Sequence, residues 1–149
     1  MQGLRQRTTV PADPRTPRRL KSVLIAEDDP AVADVIREAI GERLYVCADT
    51  VANGALVVDA IASRRPDLLI LDLALPGLSG LDVFELVRND PTWHGVPVLF
   101  LTASPEKAPD ANAGAQTPEV VAKPFDIDEL VARIDRLLDG RTDVADPRF

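Results

Sequence analysis

Four short apolar runs in this sequence end in polar residues that could share one site. Ser22 to Ala26 runs into Glu27, Asp28 and Asp29; Asp67 to Leu73 carries Asp72; Val96 to Thr102 ends in a hydroxyl; Val120 to Ala122 stops at Lys123. Crowded carboxylates repel one another and form a natural site for a hard divalent cation such as Mg²⁺. That ion favours one or two carboxylates, several waters and a phosphate oxygen. A lysine and a hydroxyl close by would clamp phosphoryl oxygens. Asp72, near the end of the most apolar run, could then act as a nucleophile and carry a phosphoryl group as an acyl phosphate. Each residue has a plain alternative as a helix cap, a strand former or a surface charge. Their joint placement at the ends of four runs favours the chemical reading. Lysine is also scarce, three against fourteen arginines, so Lys123 is a poor candidate for filler.

The runs are continuous rather than alternating, the pattern of strands buried on both faces. Asp29-Pro30 supplies a cap and first turn for a helix with Val32, Val35, Ile36, Ala39 and Ile40 on its inner face. A weak strand is expected around Tyr45 to Ala48. Asn53 caps a helix reaching about Ala62, with Leu56, Val57, Ala60 and Ile61 inward. Pro76-Gly77 breaks the third strand, and a helix from Gly80 to Asn89 turns Leu81, Phe84 and Val87 inward. Asp126 and Glu129 form a capping box for a last helix that buries Ile127, Leu130, Val131, Ile134, Leu137 and Leu138 and is closed by Gly140. Strands alternating with helices imply a parallel sheet covered on both faces. Ser104 to Gln116 breaks the alternation: Pro105, Pro109, Asn112 and Gly114 interrupt it and alanines are its only apolar residues, so its helix is expected to be weak or partly disordered.

Composition bounds the function. The 149 residues suit one domain, and 46% hydrophobic content excludes disorder along the whole chain. No run approaches the ~18–20 apolar residues of a membrane span, and no apolar secretory run opens the chain, so a cytoplasmic location is expected. One cysteine, Cys47, and one histidine, His94, exclude a disulfide framework and the usual zinc clusters. With no histidine to pair with it, Cys47 reads as a small core residue, and His94 beside Trp93 as a loop residue. The net charge of −7 is uneven. Residues 1–22 hold six basic groups against Asp13, whereas the rest is strongly acidic and suits no phosphate backbone. The organisation expected is a flexible basic arm over 1–20, a folded unit over 21–140 and a short polar tail over 141–149.

The four blocks together resemble the receiver domain of two-component response regulators. The residues that carry this are Val23-Leu24-Ile25-Ala26-Glu27-Asp28-Asp29-Pro30, Pro66 to Gly80 around Asp72, Val96-Pro97-Val98-Leu99-Phe100-Leu101-Thr102-Ala103 and Lys123-Pro124-Phe125. The resemblance covers about residues 21–140. It implies a flavodoxin-like (βα)5 fold, a doubly wound parallel sheet of five strands in the order 2-1-3-4-5. It further implies that Asp72 is the phospho-acceptor, supplied by a sensor histidine kinase. Glu27, Asp28, Asp72 and the Ala74 carbonyl would hold Mg²⁺ (or Mn²⁺). Thr102 would bond a phosphoryl oxygen, Lys123 would pair with the group, and Pro124 would fix the turn that aims it, in the family through a cis bond. Pro76 and Gly80 would shape the loop after the acceptor.

One position departs from the family: Val120 stands where receivers commonly hold the Tyr or Phe that moves with the threonine. The weak segment 104–118 falls on the face many members use for dimerisation or output. The expected function is therefore a single-domain response regulator, not a turnover enzyme, that signals by phosphorylation-dependent protein contacts. Its partners would be the kinase and a histidine phosphotransfer protein or downstream protein, with no DNA-binding domain and no membrane. Two alternatives stay open: a receiver-fold binding module that works without phosphorylation, and a small Mg²⁺-dependent phosphatase or phosphotransferase. The absence of a second Asp in Asp72-Leu73-Ala74 weighs against the latter.

Overall fold

A computed structural model describes residues 19–109 and 118–145. Its elements are β1 (Lys21–Ala26), α1 (Pro30–Arg43), β2 (Val46–Val51), α2 (Gly54–Ser63), β3 (Leu68–Leu71), α3 (Gly80–Asn89), β4 (Val98–Thr102), β5 (Glu119–Ala122) and α4 (Ile127–Ala145). A 3-10 turn occupies Pro105–Lys107. The five strands form one parallel sheet in the order β2-β1-β3-β4-β5, the expected doubly wound arrangement.

The continuous apolar runs have a direct cause. Side chains alternate faces along a strand, and both faces here are covered. Leu24 and Ala26 of β1, Leu69 and Leu71 of β3, and Val98 and Phe100 of β4 join one core with α2 and α3. Val23, Ile25, Leu68, Ile70, Leu99 and Leu101 join a second core with α1 and α4. In the first core Phe84 and Phe100 meet edge to face, ring centroids 5.2 Å apart. The division of helices follows from handedness. The crossover from β1 to β2 runs one way along the sheet, and those from β2 to β3 and β3 to β4 run the other. Right-handed connections then place α1 on one face and α2 and α3 on the opposite one.

The helix starts follow the capping residues. Asp29 accepts from Ala31 N (3.0 Å), Asn53 from Leu56 N (2.9 Å) and Ser79 from Asp82 N (3.2 Å). The Asp126 carboxylate accepts from Asp128 N (2.8 Å) and Glu129 N (3.4 Å) at the head of α4.

The structure corrects several expectations. Val35, Leu56 and Leu81, expected on inner helix faces, are exposed at 51%, 46% and 38%. A helix lying on a sheet buries a narrow stripe, here Ala33, Ile36 and Ile40 on α1, Val57 and Ile61 on α2, and Val83, Phe84 and Val87 on α3. Helix α4 continues through Gly140 to Ala145. A glycine inside a helix costs only ~1 kcal/mol relative to alanine, and Gly77 is the sole described glycine with positive φ. The second strand begins and ends later than expected, at Val46 and Val51, because it pairs along the whole of β1 from Lys21↔Val46 to Ala26↔Val51. Cys47 lies half-buried on this edge strand, and His94 is exposed. Residues 1–18, 110–117 and 146–149, which include most of the basic arm, most of the weak fourth crossover and the end of the tail, lie outside the described residues.

Candidate functional site

The sheet order reverses between β1 and β3, and in such sheets ligands bind beyond the strand carboxyl ends at that point. Glu27 follows β1 directly, and Asp72 follows β3. Thr102 ends β4, and Lys123 follows β5. The side chains of Glu27, Asp72 and Lys123 meet there, and Thr102 is joined to Lys123 through the backbone. Lys123 Nζ donates to Glu27 Oε1 at 2.7 Å and to Asp72 Oδ2 at 2.9 Å. The Glu27 and Asp72 side chains are 1% and 6% exposed, and Lys123 is 23% exposed. Asp28 is open to solvent. One carboxylate oxygen from each of Glu27, Asp28 and Asp72 lies within 4.8 Å of the others, a donor set of hard oxygens suited to Mg²⁺ or Mn²⁺.

Backbone groups fix these side chains. Asp29 N donates to Glu27 Oε2 (3.1 Å), and Ala74 N donates to Asp72 Oδ1 (3.0 Å). Ser104 N donates to Thr102 Oγ1 (2.9 Å), holding a hydroxyl that is itself buried. Lys123 N donates to the Thr102 carbonyl (2.8 Å), and the Lys123–Pro124 peptide is cis, as the resemblance implied. Burial pushes the Glu27 carboxyl above its ordinary pKa, aided by the charge of Asp72 and opposed by hydrogen bonds from Lys123 and Asp29 N. Burial also works against the Lys123 ammonium, but hydrogen bonds to Glu27 and Asp72 outweigh it and raise its pKa. The lysine thus stands charged between two buried acids.

The loop after Asp72 is built on close approaches. Gly80 N donates to Leu73 O (2.9 Å), and a methyl group on Gly80 would overlap the Asp72 carbonyl. Pro76 accepts from Gly54 N (2.9 Å) at the start of α2, and a methyl on Gly54 would overlap the Leu78 carbonyl. Gly77 turns this loop with φ +77°, a conformation that disfavours other residues. Sequence reasoning placed Pro76 and Gly80 at the site but missed Gly54. The Asn53-Gly54 pair was legible only as a helix cap, because its second role needs the loop that folds onto it. Val120 is half-buried on β5, pairs in register with Phe100 of β4 and packs against the first core.

Comparison with known proteins agrees with this geometry. The model of the response regulator receiver domain matches residues 23–135. The chain belongs to that family. It is 35% identical over 114 residues to the DNA-binding response regulator MtrA of Mycolicibacterium smegmatis, covering 75% of this chain and 48% of that protein. It is 36% identical over 127 residues to the DNA-binding dual master transcriptional regulator RpaA of Synechocystis, covering 81% of this chain and 50% of that one. The chain thus spans about half the length of these curated relatives. Among solved structures, it resembles the chemotaxis response regulator CheY4 of Vibrio cholerae (TM-score 0.71, 26% identity, 80% of this chain and 100% of that one). It also resembles a CheY-like receiver domain from Methylobacillus flagellatus (TM-score 0.68, 25% identity, 80% and 99%). The protein is therefore a bacterial-type two-component receiver, a signalling domain with an acidic pocket. No helix among the described residues is long and apolar enough to cross a membrane.

Proposed function

We propose that this domain accepts a phosphoryl group on Asp72 from the phosphohistidine of a sensor histidine kinase. The observation that carries the reading is the Lys123 ammonium bridging Glu27 and Asp72 at the reversal point of the sheet. In the transfer, an Asp72 carboxylate oxygen forms a bond to phosphorus as the phosphorus–nitrogen bond breaks and its electron pair returns to the imidazole. The product is an acyl phosphate. Glu27, Asp28 and Asp72, with the Ala74 carbonyl, would hold Mg²⁺, which supplies charge neutralisation for the phosphoryl oxygens.

This chain's own residues do the remaining work. Lys123 is positioned to leave Glu27 for a phosphoryl oxygen without changing its charge, because its pKa is raised, not lowered. The Thr102 hydroxyl can exchange the Ser104 amide for a phosphoryl oxygen, which couples the site to the segment after β4. With Val120 in place of an aromatic ring, the signal passes through the Thr102–Ser104 connection and that segment rather than through a swinging side chain. The output is a change in affinity for a partner protein, a histidine phosphotransfer protein or a downstream target.

The test is incubation of the wild-type chain with Mg²⁺ and acetyl phosphate, followed by intact mass measurement. One added phosphoryl group, absent in Asp72→Asn and without Mg²⁺, is the expected result. No gain at saturating Mg²⁺ and donor would overturn the proposal and favour a binding module that works unphosphorylated. Continuous release of phosphate at many turnovers would favour a phosphatase.

A further inference from the structure

The solvent face of α3 has a composition that its place in the fold does not require. Leu78, Asp82, Glu85, Leu86, Asn89, Asp90 and Pro91 line a shallow open groove of about 690 Å³. Leu78, Asp82, Glu85, Leu86 and Asn89 recur at helical spacing, so one stripe presents leucines flanked by acids. Leu86 is 46% exposed and neighbouring Leu81 is 38% exposed. The one cation of α3, Arg88, lies over the Phe84 ring at 5.3 Å from its centroid. The groove is thus lined by the apolar Leu78, Leu86 and Pro91 together with the acids Asp82, Glu85 and Asp90.

This chain contains a segment of complementary chemistry. Residues 1–18 hold Arg5, Arg7, Arg15 and Arg18 against the single acid Asp13, with Leu4 and Val10 as apolar side chains. Pro11, Pro14 and Pro17 favour extended backbone, the form that fits a groove beside a helix. The point where this arm leaves the described structure is fixed. Arg19 Nη2 donates to Asp67 Oδ1 at 2.7 Å, and Asp67 Oδ2 accepts from Ser22 N at 2.7 Å. Two residues before Asp67, Arg65 Nε donates to the Thr92 carbonyl at 3.0 Å, and Thr92 adjoins Pro91 at the end of the groove. Asp67, Arg65 and Thr92 all lie at the amino-terminal edge of the sheet, so the arm starts from the pole where the groove ends. Eighteen residues can extend ~60 Å, far beyond the ~15 Å length of a ten-residue helix.

We propose that the basic arm, residues 1–18, docks in cis along the acidic–apolar face of α3. Its arginines face Asp82, Glu85 and Asp90, and Leu4 or Val10 covers Leu86. Individually weak exposed ion pairs are sufficient because the tether holds the arm at an effective concentration in the millimolar range. The proposal is independent of phosphorylation at Asp72.

The test compares amide ¹H–¹⁵N spectra of the full wild-type chain with those of the full-length variant R5Q/R7Q/R15Q/R18Q at low ionic strength. Shift differences concentrated in Leu78–Pro91 are expected. They should vanish at 1 M salt, where the Debye length falls to about 3 Å, and should be the same at all protein concentrations. Glu85→Lys, an exposed change that leaves the core intact, should shift the arm amides in the same salt-sensitive way. Superimposable wild-type and variant spectra over Leu78–Pro91 would overturn the proposal. Differences that grow with protein concentration would overturn it in favour of a second copy as the occupant. Differences that arise only on adding short duplex DNA would overturn it in favour of a nucleic-acid contact.

Discussion

Removing the Lys123 charge while keeping its stem, as in Lys123→Met, leaves the buried Glu27 and Asp72 carboxylates without their shared counter-charge. Breaking a fully buried ion pair by deleting one partner costs ~3–5 kcal/mol. Here Lys123 is 23% exposed and Asp28 beside it is open, so water reaches one side of the cluster. The expected loss is therefore about 2–3 kcal/mol in metal-free buffer, read by urea unfolding in the presence of EDTA. A second change separates charge from packing. Glu27→Gln in the Lys123→Met background removes one of the two uncompensated carboxylates, so part of the loss should return, a coupling of ~1–3 kcal/mol. Saturating Mg²⁺ should stabilise Lys123→Met more than wild type, because a divalent cation held by Glu27, Asp28 and Asp72 would offset the carboxylate repulsion that the missing ammonium leaves. A loss under ~1 kcal/mol, or Glu27→Gln effects that simply add, would refute the electrostatic account of this pocket.

Two further perturbations address the frame. Burial alone would raise the Asp67 carboxyl, but the Arg19 hydrogen bond, the Ser22 amide and nearby charge outweigh it and hold its pKa below the ordinary value. A depressed folded pKa means a stabilising contribution that is present above the unfolded value of ~3.9 and is lost as pH falls through the folded one. Asp67→Asn should therefore cost ~1–2 kcal/mol at neutral pH and flatten the fall in stability below about pH 4; an unchanged acid limb in unfolding curves from pH 2 to 7 would count against it. Gly80→Ala forces a methyl into the Asp72 carbonyl and within 2.6 Å of the Leu73 Cα. A loss of ~2–3 kcal/mol by urea unfolding, with amide shifts centred on the Asp72 loop, is the expected outcome, and wild-type stability would contradict the close approach.

Much of the fold was legible because it rests on local pattern. The uninterrupted runs at Val23–Ala26, Leu68–Leu71 and Val98–Leu101 are readable as doubly covered strands, since both of their faces are buried. Asp29, Asn53 and Asp126 were legible as caps because a side chain that serves the first helical amides acts within three residues of itself. The inner faces of the helices were read too broadly. Apolar spacing around Val35, Leu56 and Leu81 cannot reveal how wide a stripe the sheet covers, and that width depends on where neighbouring helices stop. Gly140 was misread for a related reason: a glycine marks a helix end only if the chain turns there, and α4 continues.

The sequence alone determined which residue types end each strand, and with them the chemistry available: a cluster of acids, a hydroxyl and one lysine. It could do so because strand length and side-chain identity are local properties. Only the tertiary structure decided that Lys123 touches both Glu27 and Asp72, across 96 and 51 residues of chain. It also decided that Gly54 receives the loop after the acceptor and that Arg19 is anchored by Asp67 at the opposite pole. These depend on strand order and register, which arise when the two cores close and the crossover direction reverses between β1 and β3. Contacts of that kind are made by packing, and no spacing along the chain encodes them.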